Sequence, residues 1–257
     1  MGAYRPNDYD LLLFFISVCK KWNVPVILPP KNYEIDYLQD LFGSWYCRTE
    51  KTRTLKIPMY IKNNNDPVFA LPLILRHRNC KRADREDKHI CMLIYIRNKK
   101  QLIYYDPTEN KDYDTSKLFG ELIVKFSLLG HPVREVIISQ APGCPKGLQG
   151  AQEAPHFQMN KECVLGKTIG FCSIWSIHFL DRFFDHENKS CPKNLTKYIT
   201  GYLDNLLKMR REFEHTLPPE IYKSFYLVKR RQLGESKLDI KSAYSNMLNY
   251  IVSKVLY

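Results

Sequence analysis

No stretch of this 257-residue sequence is long and apolar enough to be expected to cross a bilayer as a helix. The apolar start, YDLLLFFISVCKKW, runs for about ten residues before Lys20 and Lys21, against the roughly 20 that a spanning helix needs. It reads instead as an amphipathic or buried helix. No basic segment precedes it and no small-residue cleavage site follows, so no signal peptide is expected. Met1-Gly2 would suit myristoylation only with Ser or Thr at position 6, where the chain has Pro6. Repeats, low-complexity tracts and a linker-like composition shift are also missing. The eight cysteines, Cys19, Cys47, Cys80, Cys91, Cys144, Cys163, Cys172 and Cys191, are scattered singly. They lack the dense spacing of a small disulfide-stapled secreted domain, and a reducing, cytoplasmic setting is the expectation. Acidic residues are in deficit, 27 against 39 lysines and arginines, for a net charge of +12. This balance favours acidic partners such as nucleic acid, an acidic protein face or an anionic membrane surface, without choosing among them.

What is present suffices for a packed core, at 44% hydrophobic residues. Asp8 can cap a first helix that Asn23-Val24-Pro25 ends, and a second short helix is predicted over Tyr33–Phe42. Between Ser44 and Leu75, the β-like runs TLKIPMYI and VFALPLIL are separated by the turn-forming KNNNDP. The charged RHRNCKRADREDK, residues 76–88, reads as a surface loop. HICMLIYI, RNKK and QLIYYDP then read as a β-hairpin over residues 89–106. A helix follows over Ser116–Leu129, and VREVIISQ is a further strand. The long Gly/Pro-punctuated stretch from Ala141 to Thr168 is of a length that is often functional. Helices are predicted over Cys172–Asp185, Asn194–Glu214, Pro219–Arg231 and Asp239–Val255.

Three residues in this layout share a chemistry. A hairpin turn centred between Arg97 and Asn98 sets His89 directly opposite Asp106 on one face, where a carboxylate can hold an imidazole N–H; a turn centred on Lys99 would make the pair diagonal. Such a pair becomes a catalytic triad when another element delivers a thiol or hydroxyl. Cys172 suits that part. Gly170 allows close backbone approach ahead of it, and the helix through Trp175, Phe179, Leu180 and Phe183 directs its N-terminal dipole at the sulfur, which favours thiolate. The other reading of each residue is plain: Cys172 as core filling, His89 as a strand-end residue, Asp106-Pro107 as a turn starter.

The order His, then an acid 17 positions later, then a Gly-aromatic-Cys helix start resembles the superfamily of adenovirus-proteinase and ubiquitin-like-protease cysteine proteases. The run GFCSIWSIHFLDRFF, with CPKGLQGAQE upstream, is similar to members found in large cytoplasmic DNA viruses. The resemblance covers about Lys88 to Asp185. It implies Cys172 as nucleophile, His89 as general base and Asp106 as its orienting acid, with a glutamine as oxyanion donor: Gln149, or else Gln152 or Gln140. Gln149 lies much further before the cysteine than is usual in the family, and Ile90 replaces the Trp that usually follows the catalytic His. The implied fold is α+β, a central mixed sheet packed against the nucleophile-bearing helix in a papain-like or adenain-like architecture. No cofactor and no metal are implied. The implied substrate is a peptide or isopeptide bond in a protein, whether a ubiquitin-like conjugate or a viral precursor, and the implied location is the host cytoplasm or the virion.

Other readings stay open. The same three residues serve acetyl-CoA-dependent acetyltransferases of the superfamily. A pseudoenzyme scaffold would keep the fold without the chemistry. His77, Cys80, His89 and Cys91 offer four N/S ligands to a zinc ion, which would take His89 out of catalysis. The basic runs Lys229-Arg230-Arg231 and Lys208, Arg210, Arg211 read as solvated helix faces, or as a docking patch for nucleic acid or an acidic protein. Residues 1–75 are expected to form an extension packed on a catalytic domain of residues 76–257, or the whole chain one domain.

Overall fold

Strands that are apolar on both faces must be covered on both faces, and the segments VFALPLIL, HICMLIYI and QLIYY stand side by side inside the sheet. The computed structural model describes residues 8–27, 41–49, 52–78, 86–107, 115–139, 172–185, 195–232 and 241–255. Its sheet has six strands, β1 (Gly43–Thr49), β2 (Thr52–Lys56), β3 (Val68–Arg78), β4 (Glu86–Ile96), β5 (Gln101–Tyr105) and β6 (Glu135–Ser139). Their order is β2-β1-β3-β4-β5-β6. The sheet is mixed: β1 runs parallel to β3 and β5 parallel to β6, and the other neighbours are antiparallel. With the helices described below, the fold is α+β.

Two short segments depart from the expected pattern for clear local reasons. The run TLKIPMYI does not continue as a strand, because Pro58 has no N–H for a ladder, and Met59–Asn63 forms a 3-10 turn. Ile61 of that turn is fully buried, and its carbonyl accepts a 2.7 Å hydrogen bond from His131 Nε2. The charged segment 76–88 is not all loop. Strands β3 and β4 extend into it, with Arg78 opposite Glu86 and His77 opposite Asp87 in the register. The helix predicted over Tyr33–Phe42 falls almost wholly outside the described residues.

Alternate residues of β3, β4 and β5 feed two separate cores. On one face, Leu71, Leu73, Cys91, Leu93, Leu102 and Tyr104 pack beneath α2 (Thr115–Leu128), which buries Leu118, Leu122 and Phe126 at helical spacing. This helix is the crossover that lets β6 lie parallel to β5. On the other face, Ala70, Ile74, Met92, Ile94, Ile103 and Tyr105 meet α1 (Asp8–Lys21), α3 (Cys172–Phe184), α4 (Leu195–His215) and α6 (Lys241–Val255). The remaining helix is α5, Pro219–Gln232. Every residue of α3 from Cys172 to Asp181 is buried, the signature of a helix enclosed on all sides. Asp181 ties three helices together, accepting from Lys21 Nζ at 2.7 Å, Trp22 Nε1 at 2.6 Å and Tyr202 Oη at 3.1 Å. Elements from both sides of residue 75 share this framework, since β3 lies between β1 and β4 and α1 packs on α3. Among the described residues no helix is long and apolar enough to cross a membrane.

The Tyr105 ring stacks on Phe179 of α3, with centroids 4.0 Å apart and planes inclined by 3°. Its hydroxyl is buried and has no hydrogen-bond partner among the described residues. Tyr105→Phe should therefore raise stability by about 1 kcal/mol, since it keeps the stack and removes a desolvated polar atom. Urea denaturation of the two proteins checks this, and a less stable phenylalanine variant would contradict it.

Candidate active site

The hairpin register decides where His89 and Asp106 stand. Partners run from Met92–Tyr105 to Ile96–Gln101, which centres the turn between Asn98 and Lys99. Asp106 thus falls opposite Cys91, and the expectation that it directly opposes His89 is corrected. Arg97 is the cause. Its N–H bonds to the Pro67 carbonyl at 2.8 Å and its Nε to the Asp66 carbonyl at 3.0 Å, so the chain leaves the strand at Ile96. The turn closes through Lys100 N–H to the Arg97 carbonyl at 3.0 Å, with Lys100 in the left-handed region at a φ of 52°. The slip is by two residues, which preserves the face, and the pair is diagonal.

Diagonal placement still brings the two groups together: His89 Nε2 lies 2.7 Å from Asp106 Oδ1, each side chain 9% exposed. Pro107 follows Asp106, and the β4–β5 ladder stops at Met92–Tyr105 while β3–β4 pairing continues to Arg78–Glu86. Residues Glu86 to Cys91 therefore project past the end of β5. Helix α3 reaches this open corner. Ser176 Oγ donates to the Ile90 carbonyl at 2.9 Å, and Cys172, one turn earlier on the same helix face, is brought to the neighbouring residue His89. The His89 and Cys172 side chains are hydrogen-bonded. Both residues are buried, though neither is sealed off, at 7% and 6% exposure.

Beneath the pair lies a second tier that sequence reasoning did not foresee. Tyr104 Oη is 3.3 Å from Asp106 Oδ2 and 3.3 Å from Cys91 Sγ. A carboxylate only accepts and a phenol has one proton, so Tyr104 donates to Asp106 and accepts from the Cys91 thiol. Cys91 also hydrogen-bonds His89. The signal for this tier was the two-residue period, which places Tyr104 on the face of Asp106 and Cys91 on that of His89.

Burial works against a charged imidazole, yet His89 is held well above its ordinary value, by the adjacent Cys91 and by hydrogen bonds with Asp106, Cys172 and Cys91. The Cys91 thiol is itself pushed up to about 11, by burial and then by the Asp106 charge. It is neutral at pH 7, so the Asp106 carboxylate is the anion that supports the imidazolium. The sign for stability follows. Because the folded value lies above the unfolded value near 6.5, the stabilisation from protonating His89 is complete below about pH 6.5 and is lost as pH rises through the folded-state value. Relative to His89→Gln, the unmodified protein is expected to lose stability in denaturant titrations as the solution becomes alkaline. Two curves that stay parallel would contradict the raised value.

Gln149, Gln152 and Gln140 lie outside the described residues. So do Cys80 and the side chain of His77, two of the four ligands in the zinc reading. Among the described residues, a group with metal-ligating character consists of His89, Cys91 and Asp106. Arg210, expected on a solvated face, is instead turned inward against Asp10 at 2.7 Å.

No family model matches the chain, and no curated protein matches it. Solved structures with a similar course include the effector protein ChlaDUB of Chlamydia abortus, 12% identical over 80% of this chain and 93% of that one, with a TM-score of 0.42. ChlaDub1 of Chlamydia trachomatis is 10% identical over 82% of this chain and 78% of its own, with a TM-score of 0.36. The Legionella pneumophila effector protein RavZ is 12% identical over 98% of this chain and 88% of its own, at 0.30.

Proposed function

We propose that the chain is a cysteine protease that cleaves peptide or isopeptide bonds through Cys172, His89 and Asp106. The observation that carries this reading is one imidazole held by a carboxylate at 2.7 Å and within hydrogen-bonding reach of a thiol at a helix start. Nε2–H donates to Asp106, and Nδ1 carries the proton drawn from Cys172, so that His89 stands as the imidazolium beside the sulfur. The thiolate attacks the substrate carbonyl, and the protonated His89 then delivers its proton to the leaving amine. Water, deprotonated by His89, hydrolyses the thioester. Backbone N–H groups at the start of α3 and a glutamine, Gln149 first, with Gln152 and Gln140 behind it, serve the developing oxyanion.

The resemblance of the Lys88–Asp185 motifs to the ubiquitin-like-protease superfamily supports a protein substrate, either a ubiquitin-like conjugate or a viral precursor, met in a host cytoplasm. Ubiquitin and ubiquitin-like modifiers carrying a C-terminal propargyl amide test the reading. Expected is a covalent adduct with at least one modifier that disappears in Cys172→Ala. Steady transfer of labelled acetyl from acetyl-CoA to protein, with no adduct and no hydrolysis across the panel, would overturn it in favour of an acetyltransferase.

A further inference from the structure

We propose that His89, Cys91 and Asp106 also form a binding site for a zinc-class divalent ion, and that the ion switches the Cys172 centre off by occupying the atoms it uses. One ligand atom from each of the three residues falls within 4.8 Å of the others. Ligands around tetrahedral zinc stand about 3.4–3.7 Å apart, from bond lengths of about 2.0–2.3 Å. His89 Nε2 and Asp106 Oδ1, now at 2.7 Å, need to part by about 0.7 Å to admit the ion between them.

The placement follows from the register. Asp106 is opposite Cys91, and His89 is two residues from Cys91 on the same face, so one end of the β4–β5 hairpin presents all three. Their chemistry selects the ion class. One nitrogen, one sulfur and one oxygen suit zinc or cobalt, whereas calcium and magnesium require oxygen throughout. Ligands in such sites are held by outer hydrogen bonds, and here a single hydroxyl, Tyr104 Oη, holds both the carboxylate and the thiol. Binding releases the Cys91 thiol proton and the proton on His89 Nε2, and replaces the hydrogen bond between Nε2 and Oδ1 with two metal bonds. The three protein ligands leave a fourth position for water.

The inhibitory half of this proposal rests on the protease reading; the binding half does not. The test therefore uses Cys172→Ala protein titrated with cobalt(II), read by absorbance. Expected is one ion per chain with a thiolate-to-cobalt charge-transfer band, displaced by zinc. Cys91→Ser in that background should abolish the band and weaken binding at least about tenfold, and Asp106→Asn should weaken it while retaining the band. Tyr104→Phe, which removes no ligand, should weaken binding about 10- to 100-fold. Binding without a thiolate band, or affinities unchanged by both ligand substitutions, would overturn the site. If cobalt binds as described but the unmodified protein hydrolyses no substrate, the protease reading fails and the ion site stands, whereas hydrolysis that zinc leaves unchanged would overturn the inhibitory half.

Discussion

Replacing Cys172 with alanine is expected to lower turnover by about a thousandfold or more, and His89→Ala to do the same, with the double variant no worse than either alone. Groups that act as one unit lose nearly everything with the first member removed. Asp106→Asn should cost less than either, since it leaves the proposed nucleophile and base in place and disturbs only the hydrogen bond now at 2.7 Å. The measurement is kcat/KM for a fluorogenic modifier or peptide that the unmodified enzyme cleaves, with circular dichroism confirming that each variant is folded. Losses that simply multiply from variant to variant would mean that the three side chains do not work together. Cys172→Ala is the least disruptive of the set, because alanine preserves the helix and removes only the sulfur.

Arg210→Ala is expected to lower unfolding free energy by about 3–5 kcal/mol, the loss typical of breaking a buried ion pair. Asp10 is fully buried and Arg210 Nη1 approaches its Oδ1 at 2.7 Å, while Arg210 Nε lies 3.3 Å from Glu214 Oε1. The side chain of Arg210 is only 13% exposed, so water does little to screen the interaction. Removing the cation takes from a buried carboxylate its Arg210 partner, whereas replacing both residues by apolar ones of similar size, Asp10→Leu with Arg210→Met, should return most of the stability. Urea denaturation checks both variants. A loss below about 1 kcal/mol for Arg210→Ala would place the pair with ordinary surface salt bridges.

That pair also shows where sequence reading stops. Arg210 belongs to a basic run on a polar, amphipathic helix, and its only visible cue was charge, which usually marks the solvent side. Its partner is 200 positions away on another helix, and no local pattern announces such a contact. The sheet was more legible. Strands β3 and β4 carry apolar residues on both faces, and the Gly/Pro and polar clusters between segments mark most of the boundaries. The meeting of His89 with Asp106 could be anticipated because the two-residue period fixes the face whatever the exact register. The register itself could not, because Arg97 is tied to a loop some thirty residues earlier. The first turn of α3 was legible from the aromatic spacing after Cys172. The tier beneath it was not, since Tyr104 and Cys91 look like ordinary core residues until their hydroxyl and thiol are found on the same carboxylate and imidazole.

Helix α3 carries its sulfur at one end of ten consecutive buried residues, clamped between the sheet and the helices α1 and α4. In the proposed mechanism, a nucleophile mounted this way has almost no freedom to follow an incoming chain. Whatever adjustment different targets demand falls to the parts of the molecule that approach the sulfur from outside, and selectivity and reactivity are thereby assigned to separate regions that can change independently.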